Sequence, residues 1–154
     1  MHSKHNHSKR GQWSNTYKRW ARMIRRCTNS NHEHYQYYGG RGITVCDRWR
    51  EFVNFLEDMG EAPPGLQLDR IDNNQGYCKQ NCRWATPKQN SRNRRSNHLI
   101  THCGETRCLT EWAEYYGIPN TTLRRRIEEY GWPIAKALTT PPKHPIKRKQ
   151  NNET

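Results

Sequence analysis

The sequence predicts an α+β chain built from two small modules, and three observations carry that prediction. Short strand-like patterns flank turn residues between positions 67 and 86, with apolar residues at helical spacing before them. A small hairpin and a helical pair then follow beyond residue 98. Hydrophobic residues make up 31% of the 154, enough for one or two thin cores but not one large one. The 6 Trp and 8 Tyr suit such cores, because large flat rings bury area while keeping a polar handle. The expected division is a disordered basic arm at 1–11, a first domain at 12–98, a second module at 99–140 and a disordered basic tail at 141–154.

The arm is rich in His, Ser and Lys and has no apolar residue after Met1, so it lacks the apolar segment of a signal peptide. His2, His5 and His7 read as a solvated tail rather than a metal site. Trp13, Tyr17, Trp20, Ile24 and Cys27 recur at helical spacing, which predicts an amphipathic helix from about Gln12 to Cys27. Lys18, Arg19, Arg22, Arg25 and Arg26 occupy its other face. Residues Tyr35 to Gly42 form a glycine-rich turn leading into a strand, Ile43 to Cys46. A phosphate-cradling role for that turn is the weaker reading, since it lacks a P-loop lysine. Trp49, Phe52, Val53 and Leu56 mark a further helix that begins near Asp47 and is ended by Gly60 and Pro63-Pro64.

The next segment carries the chemistry. Gln67 to Asp72 alternates apolar and polar, Asn73-Asn74-Gln75-Gly76 is turn chemistry, and Cys82 to Thr86 resumes a strand. Thr86 is placed to cap a helix with Pro87 at its first position and Gln89 completing a capping box. Asn90 and Asn93 then project from that helix, one row apart. Asp69 offers a hard carboxylate oxygen and Asn90 an amide oxygen, a pairing suited to Mg2+ or Mn2+ rather than zinc. The competing account of these residues is ordinary turn formation.

Leu68-Asp69-Arg70-Ile71-Asp72, Asn81-Cys82-Arg83-Trp84 and Thr86-Pro87-Lys88-Gln89-Asn90 together resemble the HNH nucleases, particularly those of phages and mobile introns. The resemblance implies a ββα-metal domain that hydrolyses phosphodiester bonds of double-stranded DNA. It puts Asp69 on the family's metal-binding acid, Asn81 on its central asparagine and Asn90 on its helix-borne ligand. Arg70 stands where the family carries the histidine that activates water. A guanidinium stays protonated near neutral pH, so Arg70 can grip a phosphate but cannot take a proton. The base would then come from the metal's water, from Asp72 or from a histidine elsewhere; otherwise the site has lapsed. The block from Trp13 to about Asn97 also resembles a common phage protein type in which Arg at this position is usual. That resemblance implies a phage-encoded protein in the cytoplasm of a bacterial host.

Charge points to the same partner. The chain has 27 Lys+Arg against 14 Asp+Glu, a formal net charge of +13, which favours a polyanion. Duplex DNA is the expected partner, with Arg83, Arg92, Arg94 and Arg95 on phosphates, and RNA is a third class. No long apolar run or lipidation signal supports a membrane, and no motif for a small organic cofactor is present. Leu99-Ile100-Thr101 and Arg107-Cys108-Leu109 predict a hairpin turning at Gly104. Thr110 is then read as capping one helix, with Trp112, Ala113 and Tyr116 apolar. Asn120 caps a second, with Leu123 and Ile127 inward, and Trp132 and Ala135 to Leu138 close the core. The spacing of Ala113, Gly117, Ile118 and Leu123 resembles a helix-turn-helix, against the alternative of a helical hairpin that only packs. That likeness implies a groove-facing set including Thr121, Thr122, Arg124, Arg125 and Arg126.

Without a secretory signal the six cysteines are expected to be reduced, and neither Cys78/Cys82 nor Cys103/Cys108 has zinc-knuckle spacing. A structural Zn2+ on Cys27, Cys46, Cys82 and His34 is therefore the weaker account beside buried free thiols. The expected function is a metal-dependent endonuclease, and the main alternative is a catalytically lapsed DNA-binding or regulatory protein.

Overall fold

A computed structural model of the chain describes residues 8–9 and 12–143. It is a mixed helical and β structure whose described strands form small antiparallel pairs. Contacts divide the chain into two compact units, and the division falls between Asn93 and Arg94, five residues before the expected one.

The first unit begins with a two-residue pair, β1 (Ser8–Lys9) against β2 (Gln12–Trp13). Ser8 and Lys9 thus have regular structure, although they fall in the arm expected to be disordered. The rest of that arm, and the tail from residue 144 on, lie outside the described residues. Helix α1 (Asn15–Thr28) starts three residues later than the spacing predicts, because the Ser14 hydroxyl caps it by accepting from the Tyr17 N–H at 3.1 Å. Met23, not Trp13, is its most buried apolar residue; Trp13 lies half exposed. Arg26 also leaves the expected basic face and turns onto the rings of Tyr38 and Tyr77.

No strand forms at Ile43 to Cys46. A single parallel bridge, Val45 to Tyr77, holds that stretch. The glycine-rich segment before it folds as a tight 3-10 turn, Gly39–Arg41. Gly39 serves packing here, since an added Cβ would sit 2.2 Å from the Cys27 carbonyl oxygen. Another 3-10 turn, Asp47–Arg50, precedes α2 (Phe52–Met59). Phe52 and Phe55 are the buried residues of α2, whereas Val53, expected inward, is exposed.

Three indoles knit this core. Trp20 donates to the Trp49 carbonyl at 2.8 Å, Trp49 to Asp58 at 2.8 Å and Trp84 to the Met59 carbonyl at 2.7 Å. Each ring therefore buries its area without stranding its N–H. The hydrogen bond from Trp49, aided by Arg48, holds the Asp58 carboxyl below its ordinary range.

Onto this base folds the hairpin of β3 (Gln67–Arg70) and β4 (Cys82–Ala85), with Asp69 opposite Arg83. Helix α3 (Pro87–Arg92) follows with the predicted capping box: Thr86 accepts from the Gln89 N–H at 3.2 Å and its own N–H donates to the Gln89 side chain at 2.9 Å. The helix ends at Arg92, so Arg94 and Arg95 are not on it.

In the second unit, β5 (Leu99–His102) pairs with β6 (Glu105–Cys108) around Cys103 and Gly104, which have φ of 50° and 80°. Two successive positive φ values make the turn whose twist matches paired strands. Helix α4 (Leu109–Tyr116) is capped by Cys108 with Glu111, not by Thr110. Helix α5 (Asn120–Arg124) is entered through Pro119, and Asn120 instead reaches back to the Thr110 hydroxyl at 2.7 Å. A π-helical turn, Arg125–Glu129, and α6 (Ile134–Thr139) complete the unit. Ile100, Leu109, Trp112, Ala113, Ile118, Leu123, Ala137 and Leu138 form its core. None of the described helices is long and apolar enough to cross a membrane.

Candidate active site

Strand β3 places neighbouring side chains on opposite faces, and this alternation separates Asp69 from Arg70. Asp69 is 4% exposed. Its Oδ2 accepts from Arg83 Nε across the strand pair at 3.1 Å, and both its oxygens lie 3.2 Å from Asn93 Nδ2. The same Asn93 amide donates to the Arg70 carbonyl. Both of its neighbours are acceptors, so its nitrogen must face them and its Oδ1 is turned the other way.

Asn90 does not take part. Its amide donates to Gln67 Oε1 at 2.6 Å, near the start of β3. The amide hydrogen-bonded to Asp69 is thus Asn93, where the sequence pattern points to Asn90. The physical reason is the capping box: it fixes where α3 starts, and the turn of helix that reaches Asp69 is the last one. Nothing in the spacing alone distinguishes these two amides, since both lie on one helical row.

Asn81 is 5% exposed and staples the long connection of the hairpin. Its Oδ1 accepts from the Asp72 N–H at 2.8 Å, while its Nδ2 donates to the carbonyls of Asp72 at 3.1 Å and Gly76 at 2.9 Å. Asp72 itself accepts from the Asn74 N–H and the Gln75 amide. Asn73 adds a bond to the Asn93 carbonyl, tying the connection to the end of α3. Asn73 and Asn93 join this cluster although the sequence pattern assigns neither a site role.

Arg70 is 5% exposed and points away from Asp69. It donates to the Gln75 carbonyl at 2.9 Å and lies over the rings of Tyr38 and Tyr77. The expectation that Arg70 meets the same phosphate as the Asp69 site is thus not met by its placement. Arg83 is the basic group at Asp69, with a side chain 46% exposed. Arg94 and Arg95 are exposed just beyond α3, and Arg92 is half-buried.

Among the described residues no group of three or more His, Cys, Asp or Glu is placed to hold a metal. The zinc set of Cys27, Cys46, Cys82 and His34 is accordingly not assembled, and all six cysteines are free thiols. Burial pushes the Cys82 thiol up to about 12. Asp69 and Asn93 are oxygen-bearing groups of the kind magnesium accepts, because that ion is usually held by one or two carboxylates together with the substrate's own phosphates. They fit it on two conditions: Arg83 must give way at Oδ2, where its half-exposed side chain has room to do so, and the Asn93 amide must turn over to bring its Oδ1 to the ion.

In the second unit, Thr121, Arg124 and Arg125 are exposed along α5 and its extension. Arg124 faces Glu128 at 3.9 Å and Arg125 pairs with Glu129 at 3.0 Å. Arg126, expected among the groove-facing set, is instead buried at 6% exposure. It donates to the carbonyls of Ala137 at 2.8 Å, Thr140 at 2.6 Å and Pro141 at 3.0 Å, closing the C-terminal end of α6.

Comparison with known proteins finds no match: no protein-family model, no curated protein and no solved structure.

Proposed function

We propose that the protein binds duplex DNA and hydrolyses its phosphodiester bonds as a divalent-metal-dependent, HNH-type endonuclease, with Asp69 and Asn93 as the metal-holding pair. The observation that carries this reading is a buried strand carboxylate, Asp69, lying beside the Asn93 side chain at the C-terminal end of α3 within a strand-turn-strand-helix unit. A bound magnesium or manganese ion would polarise the scissile phosphate and offset charge on the departing oxygen. Asp69 and Asn93 would hold that ion, and Asn81 keeps the hairpin connection in the shape that presents them. Arg83 neutralises Asp69 in the free protein and is positioned to pass to a phosphate oxygen when DNA arrives. The net charge of +13 supports the polyanionic partner.

Supercoiled plasmid incubated with the full chain tests the reading. Nicked or linear product should form with Mg2+ or Mn2+ and disappear with a chelator. Absence of product with either metal, on varied DNA, would overturn it.

The placement of Arg70 favours a second reading, a DNA-binding protein that keeps the hairpin without the chemistry. With Arg70 turned onto two tyrosine rings, the position that would carry a base faces away from Asp69. On that reading the duplex dissociation constant still weakens by about tenfold or more between 50 and 200 mM salt, while no metal produces cleavage.

A further inference from the structure

Arg26 and Arg70 come from different elements, α1 and β3, and converge on one pair of rings. The Arg26 guanidinium carbon lies 4.2 Å from the Tyr38 centroid and 5.1 Å from that of Tyr77. For Arg70 the two distances are 5.2 and 4.9 Å. The rings themselves stack at 6.5 Å with 25° between planes. Cys27, which both guanidinium charges reach, is held as a neutral thiol by burial.

The cluster is rich in donors and poor in acceptors. No carboxylate among the described residues pairs with either arginine. Arg26 donates to the hydroxyls of Tyr38, at 3.2 Å, and Tyr77. Those hydroxyls therefore act as acceptors, and their own protons reach no acceptor among the described residues. Arg26 Nε is buried without a partner. Burial also raises the Tyr77 phenol, so it stays protonated and cannot supply the missing negative charge.

Aromatic faces attract a cation through their quadrupole, but they carry no net charge to cancel two guanidinium groups. Burying two like charges together is costly unless an opposite charge joins them. A tetrahedral oxyanion would supply the charge and accept from the free N–H and O–H groups at once. Arg26 and Tyr38 are half-buried, which leaves the cluster open on their side.

We propose that Arg26, Arg70, Tyr38 and Tyr77 form an anion site that takes a single phosphate group. The inference stands whether or not Asp69 and Asn93 support cleavage. The shared chemistry is that of a phosphate oxyanion, whether carried by a nucleic-acid strand or by a small phosphorylated molecule.

Calorimetric titration of the full chain with inorganic phosphate, against chloride at matched ionic strength, tests it. Saturable binding of phosphate and none of chloride is expected. Arg26→Met should weaken that binding by about tenfold or more, while Arg25→Met, one residue along on the exposed face, should leave it unchanged. Tyr38→Phe keeps the ring and removes one hydroxyl; it should cause a smaller loss, and it decides the matter if Arg26→Met fails to fold. Unsaturable binding by the native chain, or equal losses in the Arg25 and Arg26 variants, would overturn the proposal. Competition by a dinucleoside phosphodiester would assign the site to a nucleic-acid backbone. Competition by a 5′-phosphorylated mononucleotide alone would assign it to a terminal phosphate.

Discussion

Two hairpins of this protein, β3 with β4 and β5 with β6, solve the same problem by different means. In the second unit, β5 and β6 are joined by Cys103 and Gly104 alone, and their backbone angles set the register. In the first, β3 and β4 are joined by residues 71–81, far too many for a turn type to decide anything. There the side chains of Asn81, Asp72 and Asn73 do what the backbone does in the other hairpin. A hairpin whose connection hangs on one buried polar side chain, Asn81, is exact but brittle, because the groups its loss leaves unpaired cost their desolvation. A hairpin held by turn geometry and apolar cover loses less to any one polar change.

That contrast can be broken or sharpened by substitution. The largest effect should fall on Asp69→Ala, which removes the carboxylate and should lower metal-dependent plasmid cleavage by roughly a thousandfold or more while duplex binding persists. Retained cleavage would mean that the brittle hairpin serves something other than this acid. Asn81→Ala should come next, destabilising the first unit by about 2–4 kcal/mol in a denaturant titration, since three buried bonds are lost together. A loss below about 1 kcal/mol would show that the long connection holds itself.

Arg126→Met is the matching test in the second unit. It leaves three carbonyls at the end of α6 without their donor, and a cost of about 1.5–3 kcal/mol is expected, confined to the unfolding of that unit. A cost exceeding that of Asn81→Ala would reverse the contrast.

Acid should separate the units further. Asp58 has a lowered folded-state pKa, so its contribution is fully present above the ordinary carboxylate range and is lost as pH falls through the lowered value. Asp58→Asn should therefore flatten the acid limb of the first unit's stability curve, measured by Trp fluorescence, and leave the second unit's unchanged.

The smallest effect concerns the exposed arginines of the second unit. Arg124→Ala should reduce the slope of log affinity against log salt by about 1 if Arg124 leaves Glu128 for a phosphate. No change would mean that the ion pair persists on DNA.

How much of this is legible in the sequence depends on what sets each feature. The capping box at Thr86 and Gln89 is a local pattern with a local cause, and it is readable. So are the two turns, at residues 73–76 and at Gly104, and the amphipathic α1. The choice between Asn90 and Asn93 is not, because it turns on how far the short helix travels before it meets β3. Arg26 reads as a charge on a solvated helix face, Arg70 as a phosphate contact and Arg126 as a groove-facing residue, all three readings that put an arginine outward, where arginines usually are. Each is instead turned inward by partners distant in sequence: tyrosine rings for the first two, helix-end carbonyls for the third. Composition cannot reveal such partners. The strand expected at Ile43 to Cys46 does not form for a related reason, since only Val45 finds a neighbour to pair with.

Asn93 holds the acid, accepts from Asn73 and is also the final residue of the first unit. The boundary of the module and the edge of its site therefore coincide. A recombination event joining a new partner after Asn93 would carry the acid–amide pair whole into another chain. One joining a single codon earlier would deliver a hairpin with its carboxylate unsupported. The unit is thus heritable as a block, with no spare length at its exit, and shuffling of the downstream module leaves the pair intact only on one side of that seam.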